Sequence, residues 1–302
     1  MKTMDVAGNS AIEFVKVRAR AYMDLIKFRL SALVTFSAVF GFILGDTAVA
    51  FSWPHFLGLA LGGFLITGAS GAANEILERD LDKLMKRTQN RPLPLKIISL
   101  SEAYLFTSLL GFLGIGILWI FTNPLTTLLG ILSMVLYIFV YTPLKRVGPI
   151  AVFVGAIPGA MPPLLGWTAA TGSISYEALI IFGIQFIWQF PHFWAIAWVS
   201  DEDYQRAGFK LLPSGGKKDL NTAFQIMIYT LFLLPLGLLP TYFGLTGLNS
   251  GIVATVCGVL FLAQTFSLMR DGSRKSALRI MFGSFLYLPI VQIAYLIDKI
   301  PS

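Results

Sequence analysis

Three polar side chains at helical spacing could hold a divalent cation near the end of an apolar run. Asn74, Glu78 and Asp82 stand at positions i, i+4 and i+8. On an α-helix these positions share one face, with neighbouring side chains roughly 6 Å apart. Their oxygen atoms suit Mg²⁺, which prefers carboxylates, water and substrate phosphate oxygens to an all-protein cage. The pattern predicts a Mg²⁺ site, although a solvated helix end would explain a carboxylate triplet alone about equally well.

Basic residues in two places could bind the phosphate groups of a ligand at such a site. Arg87 and Arg91 follow the acidic stripe, and Lys145 and Arg146 end a later apolar run. Arginine forks and lysine ammonium groups both neutralise phosphate oxygens. We therefore expect these four residues to bind a diphosphate. For Lys145 and Arg146, a basic flank beside a membrane span is an equally good interpretation.

A second polar group interrupts an apolar, aromatic run between residues 176 and 199. Gln185, Gln189 and His192 stand at i, i+4 and i+7. Polar side chains inside a membrane span normally face the bundle interior or a wet cavity rather than lipid. The pattern predicts a polar face inside the bundle, and from the spacing alone hydrogen bonding between helices is the favoured interpretation for His192 over a functional pocket.

The elements that must position these residues are membrane helices. The 302 residues are 56% hydrophobic and 13% charged, an apolar content beyond what a soluble core of this length can bury. A span of a hydrocarbon core about 30 Å thick takes roughly 20 residues. Nine apolar runs are long enough: 28–50, 55–77, 101–121, 124–143, 149–168, 176–199, 222–243, 248–269 and 277–298.

The basic residues indicate how the spans are oriented. Of the 23 Lys and Arg residues, all but Lys299 fall before or at the start of the first span, or in alternate connections and at the span ends beside them. By the positive-inside rule the N-terminus is cytoplasmic and the C-terminus external. Topology thus explains the net charge of +7, and we expect no nucleic-acid partner. The single cysteine, Cys257, allows no intrachain disulfide.

Two cytoplasmic connections, about 78–100 and 200–221, are long, and long loops in a compact fold tend to carry function. They follow the second and sixth spans, which suggests two four-helix halves plus a ninth helix. We therefore expect an all-α, polytopic membrane protein in which residues 1–302 form a single domain. Its N-terminal segment, 1–23, is expected to be cytoplasmic and could lie along the membrane surface.

Several motifs resemble a known family. The pattern N-x-x-x-E-x-x-x-D at 74–82, followed by M-x-R-T-x-x-R-P-L-P at 85–94, resembles the first acidic motif of the UbiA-type intramembrane prenyltransferases. More narrowly, YTPLKR at 141–146, GAMPPLLGW at 159–167 and FIWQFPHFW at 186–194 resemble the haem-modifying branch of that family. The resemblance implies a nine-helix bundle that binds Mg²⁺ and an isoprenyl diphosphate between two acidic motifs.

The resemblance also implies an activity, a location and site residues. The expected reaction transfers a farnesyl group from farnesyl diphosphate to the vinyl group of haem b, in the bacterial inner membrane, with the product passing to haem A synthesis. Asp203 would join Asn74, Glu78 and Asp82 as a metal or diphosphate-side residue, although the segment around it departs from the usual D-x-x-x-D. The haem or prenyl pocket is expected to contain Tyr141, Trp188, Gln189, His192 and Trp194.

Two other functions fit the same features. A UbiA-type enzyme that prenylates a quinone precursor or another lipid would share the diphosphate site without needing the W-Q-F-P-H segment. A secondary transporter with broken helices would also have a polar site within the membrane.

Overall fold

The computed structural model describes residues 2–46 and 51–301, with side chains in the first helix described from residue 13 onward. Most of the N-terminal segment 1–23 is therefore described only as backbone. Of the helices in the described ranges, all but α1 and the short α8 are long and apolar enough to cross a membrane. This confirms the predicted all-α fold with nine spans. The helices are α1 (Lys2–Leu25), α2 (Phe28–Gly45), α3 (Trp53–Asp82), α4 (Leu100–Phe121), α5 (Pro124–Leu144), α6 (Ile150–Thr171), α7 (Tyr176–Val199), α8 (Asp201–Arg206), α9 (Leu220–Tyr242), α10 (Leu248–Asp271) and α11 (Arg274–Ile297).

Capping residues explain where five of the spans begin. In each case a side-chain oxygen accepts a hydrogen bond from the backbone amide three residues later, and such a cap contributes about 1 kcal/mol. At the start of α4, Glu102 also accepts from the backbone amide of Ser99, which completes a capping box. The five capping residues are Ser99, Asn123, Ser175, Asp219 and Ser273.

The helix α3 continues beyond the apolar run that predicted it. It has 30 residues, which at 1.5 Å per residue span about 45 Å. A hydrocarbon core is only about 30 Å thick, so the last turns of α3 extend past it. Those turns carry Asn74, Glu78 and Asp82, which places the predicted ligands on one helix as the spacing requires. We call this end of the bundle, where α3 ends and α2 begins, the polar end.

The helix α5 contains a π-helical segment, Leu136–Tyr141, directly before its polar end. There the backbone amide of Thr142 donates to the carbonyl of Tyr137, five residues earlier. Such insertions into α-helices occur frequently at functional sites. The segment turns Tyr141 towards α6, where a Cβ on Gly155 would lie 2.6 Å from the tyrosine ring.

Glycines allow α2 and α6 to cross in close contact. A Cβ on Gly41 would collide with the carbonyl oxygen of Pro163, and one on Gly166 with the carbonyl oxygen of Ala38. Small residues permit this kind of backbone approach between membrane helices. Despite Pro158, Pro162 and Pro163, α6 runs as one helix from Ile150 to Thr171.

Buried hydrogen bonds join four helices in the middle of the bundle. Ser37 of α2 donates to Oε1 of Gln185 on α7, at 2.7 Å, and Gln292 of α11 donates to both residues. The amide nitrogen of Gln185 donates to the carbonyl of Gly159 on α6 at 2.8 Å. We call Ser37, Gln185 and Gln292 the central network. Through it, α2 of the first half is joined to α7 of the second half and to the ninth span, α11, and Gln185 adds a link to α6.

The N-terminal helix α1 is attached to the polar end through the side chain of Arg18. Arg18 forms an ion pair with Glu102 and donates to the carbonyl of Ile97. Phe14, Val15 and Val17 are exposed on this helix. Its predicted position along the membrane surface stays a prediction.

Candidate functional site

The predicted ligands on α3 are buried at the polar end. Asn74, Glu78 and Asp82 expose 3%, 5% and 0% of their surface, respectively. A buried carboxylate is costly unless a cation and hydrogen bonds balance it. Each of the three side chains has a basic partner that reaches it from a different part of the chain.

Lys145, at the end of α5, balances Glu78. Its Nζ lies 2.9 Å from Oε1 of Glu78, and both side chains are buried. The same Nζ lies 4.7 Å from the ring centroid of Tyr141, within the range of a cation–π contact. Arg146, the next residue, is exposed. Of the two basic residues predicted here, the structure brings only Lys145 to the acidic residues.

Arg91, in the loop after α3, balances Asp82. Its Nη1 lies 3.0 and 2.8 Å from the two carboxylate oxygens of Asp82, and its Nε lies 3.5 Å from Oε1 of Glu75. Burial on its own would lower the pKa of Arg91, but the carboxylates of Glu75 and Asp82 outweigh that effect and raise it. Arg91 therefore stays charged.

Glu75 is a site residue that sequence reasoning missed. It exposes 1% of its surface, and its Oε2 has no hydrogen-bond partner within the described residues. Its spacing from Glu78 and Asp82, three and seven residues, places it on the same side of α3. That spacing was the available signal.

Lys27 approaches Asn74 from the junction of α1 and α2. Its Nζ donates to Oδ1 of Asn74 at 3.2 Å, and the amide of Asn74 donates weakly to the hydroxyl of Thr142 at 3.4 Å. Lys27 adopts a left-handed backbone conformation, φ 49°, which separates the two helices. Burial, reinforced by the charge of Arg91, lowers the pKa of Lys27 to about 8. Three cations thus converge on one acidic helix end.

Asp203, on α8, connects the two long loops. Its carboxylate accepts hydrogen bonds from the backbone amides of Lys86 and Arg87, at 3.0 and 3.1 Å, and from the side chain of Arg206. The exposed side chain of Arg87 lies 6.0 Å from the ring centroid of Tyr204. Both oxygens of Asp203 are therefore engaged with the loop that follows α3.

The oxygen atoms of Asn74, Glu78 and Asp82 suit Mg²⁺ chemically, but in this structure the two carboxylates form ion pairs with basic side chains. Within the described ranges, no three Asp, Glu, His or Cys side chains are grouped closely enough to hold a metal ion. Asn74, Glu78 and Asp82 nevertheless offer the oxygen atoms that Mg²⁺ prefers. A bound cation would replace Lys145 at Glu78 and Arg91 at Asp82. Both basic side chains would then be available for phosphate oxygens.

On α7, His192, Trp188 and Gln189 are buried close together. The Trp188 and His192 rings stack with centroids 4.4 Å apart and planes 18° apart. The Nδ1 of His192 lies 2.8 Å from the hydroxyl of Ser284 on α11. Gln189 packs against Gly159 of α6, where a Cβ would collide with the glutamine amide. The polar face predicted on this helix is confirmed as a buried one.

Trp194 points to another part of the bundle. Its ring packs against Phe190 and against Tyr229 of α9, with centroids 5.3 and 5.0 Å away. On a helix, residue 194 lies on the opposite side from Gln185. The structure therefore does not bring Trp194 to the other predicted pocket residues.

The nine apolar helices within the described ranges, with an acidic site balanced by cations at one end, define a polytopic integral membrane protein. Residues 34–288 match the UbiA prenyltransferase family. The chain belongs to this family and is a prenyltransferase.

Relatives and solved structures agree with this assignment. A protohaem IX farnesyltransferase of Cytophaga hutchinsonii is 50% identical over 93% of this chain and 98% of its own length. A mitochondrial protohaem IX farnesyltransferase of Arabidopsis thaliana is 37% identical over 94% of this chain and 66% of its own length.

The fold is shared with more distant proteins. A structure described as digeranylgeranylglyceryl phosphate synthase superimposes with a TM-score of 0.77 at 18% identity, over 93% of this chain and 98% of that one. A UbiA homologue from Archaeoglobus fulgidus bound to GPP and Mg²⁺ gives a TM-score of 0.63 at 18% identity, over 91% of this chain and 99% of that one.

Proposed function

We propose that this prenyltransferase transfers a farnesyl group from farnesyl diphosphate to the vinyl group of haem b, giving haem O. The relatives named protohaem IX farnesyltransferase support this substrate pair. Within the structure, the observation that carries the proposal is His192, a buried histidine on α7 of a bundle whose α3 ends in the acidic site. Membership of a prenyltransferase family argues against the transporter that the sequence also allowed.

The diphosphate would bind at the polar end. Asn74, Glu78 and Asp82 would hold Mg²⁺, with Asp203 facing them from the second loop. When bound, the metal ion supplies positive charge that stabilises the departing diphosphate. The cations of this chain add to that effect, because they lie in a partly buried site where electrostatic interactions are strong. They are Arg91 and Lys145, with the exposed Arg87 and Arg146 further out on the surface.

The reaction begins when the C–O bond of farnesyl diphosphate breaks and its electron pair leaves with the diphosphate. The allylic cation that remains would be stabilised by the ring faces of Tyr141 and Trp188. The vinyl group of haem then attacks it, forming the new C–C bond. Water adds to the resulting cation and loses a proton, which gives the hydroxyethylfarnesyl group. The packing of Trp194 against Tyr229 favours a structural role for that tryptophan.

His192 would contact the haem, either as an axial ligand to the iron or by orienting the porphyrin. Gln189 would line the same pocket. Because both substrates are amphiphiles, they would enter from the bilayer. Replacing His192 with alanine should then weaken haem binding and change the absorption spectrum of the bound iron.

We place the protein in the bacterial cytoplasmic membrane, with the polar end and the N-terminus in the cytoplasm and the C-terminus outside. The distribution of Lys and Arg supports this orientation. We also propose that residues 1–302 act as a single prenyltransferase domain and that the product passes to haem A synthase.

One assay tests the proposed reaction. Purified protein in lipid is incubated with haem b, farnesyl diphosphate and Mg²⁺, and the haem is analysed by mass spectrometry. Haem of the mass of haem O supports the proposal. Release of pyrophosphate with unmodified haem, together with prenylation of an added quinone precursor, would contradict it and favour the lipid-prenylating alternative. Asp82→Asn provides the inactive control.

A further inference from the structure

We propose that Ser284 is a positioning residue that holds the proton of His192 on Nδ1 and so leaves Nε2 with a free lone pair for the haem iron. The identity of the ligand rests on the proposed function. The protonation state itself follows from the structure alone. Ser284 lies on α11, well beyond the last of the sequence motifs that resemble the haem-modifying branch, which ends at Trp194.

The hydrogen bonds of Ser284 decide which ring nitrogen carries the proton. Its hydroxyl lies 2.6 Å from the carbonyl oxygen of Met281 and 2.8 Å from Nδ1 of His192. A hydroxyl has one hydrogen, and a carbonyl oxygen can only accept. The hydroxyl therefore donates to Met281 and must accept from His192. This requires a hydrogen on Nδ1, and in a neutral imidazole Nε2 is then unprotonated.

Trp188 fixes the orientation of the same ring. Its indole N–H donates to the backbone carbonyl of Ser284 at 3.0 Å, while its ring stacks on His192. One face and the Nδ1 edge of the imidazole are thus held by groups that meet at Ser284. His192 retains 8% exposure, and among the described residues no hydrogen bond reaches its Nε2.

This arrangement is the one that a histidine ligand needs. A metal-bound histidine generally donates its other ring N–H to a neighbouring acceptor, which fixes both the tautomer and the ring. A purely structural bond between α7 and α11 would work equally well with the opposite tautomer. Because the hydroxyl of Ser284 already donates to the carbonyl of Met281, it cannot also donate to Nδ1, and this excludes that tautomer.

The chain has two histidines, His55 and His192, so the tautomer can be observed directly. In the His55→Gln protein, ¹⁵N-histidine labelling gives signals from His192 alone. NMR of the full-length protein without haem should show Nδ1 protonated and Nε2 unprotonated. Ser284→Ala in this background should shift the ring towards the other tautomer, and Ser284→Thr, which keeps the hydroxyl, should restore it.

Ser70→Ala is the matched control. Ser70 is also a buried helical serine whose hydroxyl donates to a backbone carbonyl, that of Ile66. It should leave the His192 signals unchanged. A protonated Nε2 in the parent protein, or unchanged signals in Ser284→Ala, would overturn the assignment.

Haem titration tests the consequence for iron. Ser284→Ala should weaken haem b binding about tenfold, the lower end of what losing such a partner of a ligating histidine costs, and should reduce the spectral signature of histidine-ligated ferric iron. Ser284→Thr and Ser70→Ala should bind as the parent does. Equal spectra and affinities in Ser284→Ala and the parent would contradict a role towards iron. If these results hold but no haem O forms, the proposed reaction fails while the positioning role of Ser284 stands.

Discussion

The Nζ of Lys145 lies 2.9 Å from Oε1 of Glu78, and this ion pair closes the acidic end of α3 against the end of α5. Arg91, in the loop that follows α3, forms an ion pair with Asp82. The carboxylates that suit a metal ion are thus neutralised by basic residues of the same chain. Under the proposed function, Mg²⁺ bound at the polar end would take the place of Lys145 and Arg91 as the positive charge beside these carboxylates.

Replacing Lys145 with methionine should destabilise the protein, because Glu78 would remain buried without its cation. Removing one partner of a buried pair typically costs about 3 kcal/mol or more. Thermal unfolding in detergent measures the effect, and Lys145→Met with Glu78→Gln should recover part of the loss. Arg146→Met is the control, since Arg146 is exposed. Equal losses in both single variants would contradict the pairing.

Glu75→Gln should weaken the binding of farnesyl diphosphate without abolishing turnover. It removes one of the two carboxylates that orient Arg91, while Asp82 keeps hold of its Nη1. We expect the KM for farnesyl diphosphate to rise about tenfold, equivalent to about 1.4 kcal/mol, with a smaller change in kcat. Exposed Glu202→Gln should leave KM unchanged. A KM at the parent value in Glu75→Gln would rule out this role.

Asp203→Asn should loosen the loop after α3 even without Mg²⁺. Asparagine keeps one acceptor oxygen, so one of the backbone amides of Lys86 and Arg87 would lose its partner. Hydrogen–deuterium exchange at these two amides should accelerate. Asp201→Asn, which affects contacts to Gln205 and Lys218, should leave them protected. Exchange that changes only when Mg²⁺ is present would assign Asp203 to the metal alone.

Gln185→Leu should weaken the link between the two halves of the bundle. It leaves the hydroxyl of Ser37 and the amide of Gln292 without their shared partner. Lost hydrogen bonds between membrane helices cost about 1 kcal/mol. The decrease in unfolding free energy should be partly shared with Gln292→Leu, so that the double variant loses less than the sum. Strict additivity would show that the two residues act independently.

Gly166→Ala should reduce the yield of folded protein, because the added Cβ would collide with the carbonyl of Ala38 in the neighbouring helix. Gly116→Ala on α4 makes the same chemical change where the new methyl group meets nothing within 4 Å. Monodisperse protein recovered by size-exclusion chromatography compares the two. Normal recovery of Gly166→Ala would mean that α2 and α6 can separate at this point.

The sequence predicted the nine spans and the acidic stripe well because hydropathy and helical spacing are local properties. The positions of Asn74, Glu78 and Asp82 on one face required only the geometry of a single helix. Lys145 could be proposed but not separated from Arg146, since either could satisfy a basic flank. Lys145 is buried and Arg146 is exposed, because the π-helical segment and the packing of α5 on α3 determine which of the two faces the acidic residues.

Contacts between helices that are far apart in the chain could not be predicted from the sequence. Nothing in the spacing of α7 shows that α11 presents a serine to His192, or that Trp194 meets Tyr229 of α9. The family resemblance predicted Asp203 as a metal or diphosphate-side residue. It did not predict the hydrogen bonds of Asp203 to the backbone amides of Lys86 and Arg87, because backbone amides carry no sequence signal. Each of these outcomes depends on which helices are neighbours, and helical periodicity does not determine that.

The π-helical segment of α5 also shifts the direction in which the side chains after it point, relative to those before it. One extra residue in the turn rotates everything after Tyr141 by about 100° relative to an uninterrupted helix. Deleting a single residue from 136–141 would leave a helix still long enough to cross the bilayer, yet it would turn Lys145 away from Glu78. The whole span, Pro124–Leu144, determines whether the helix crosses the membrane, whereas the π-helical segment determines the direction of Lys145. The two properties can therefore change independently.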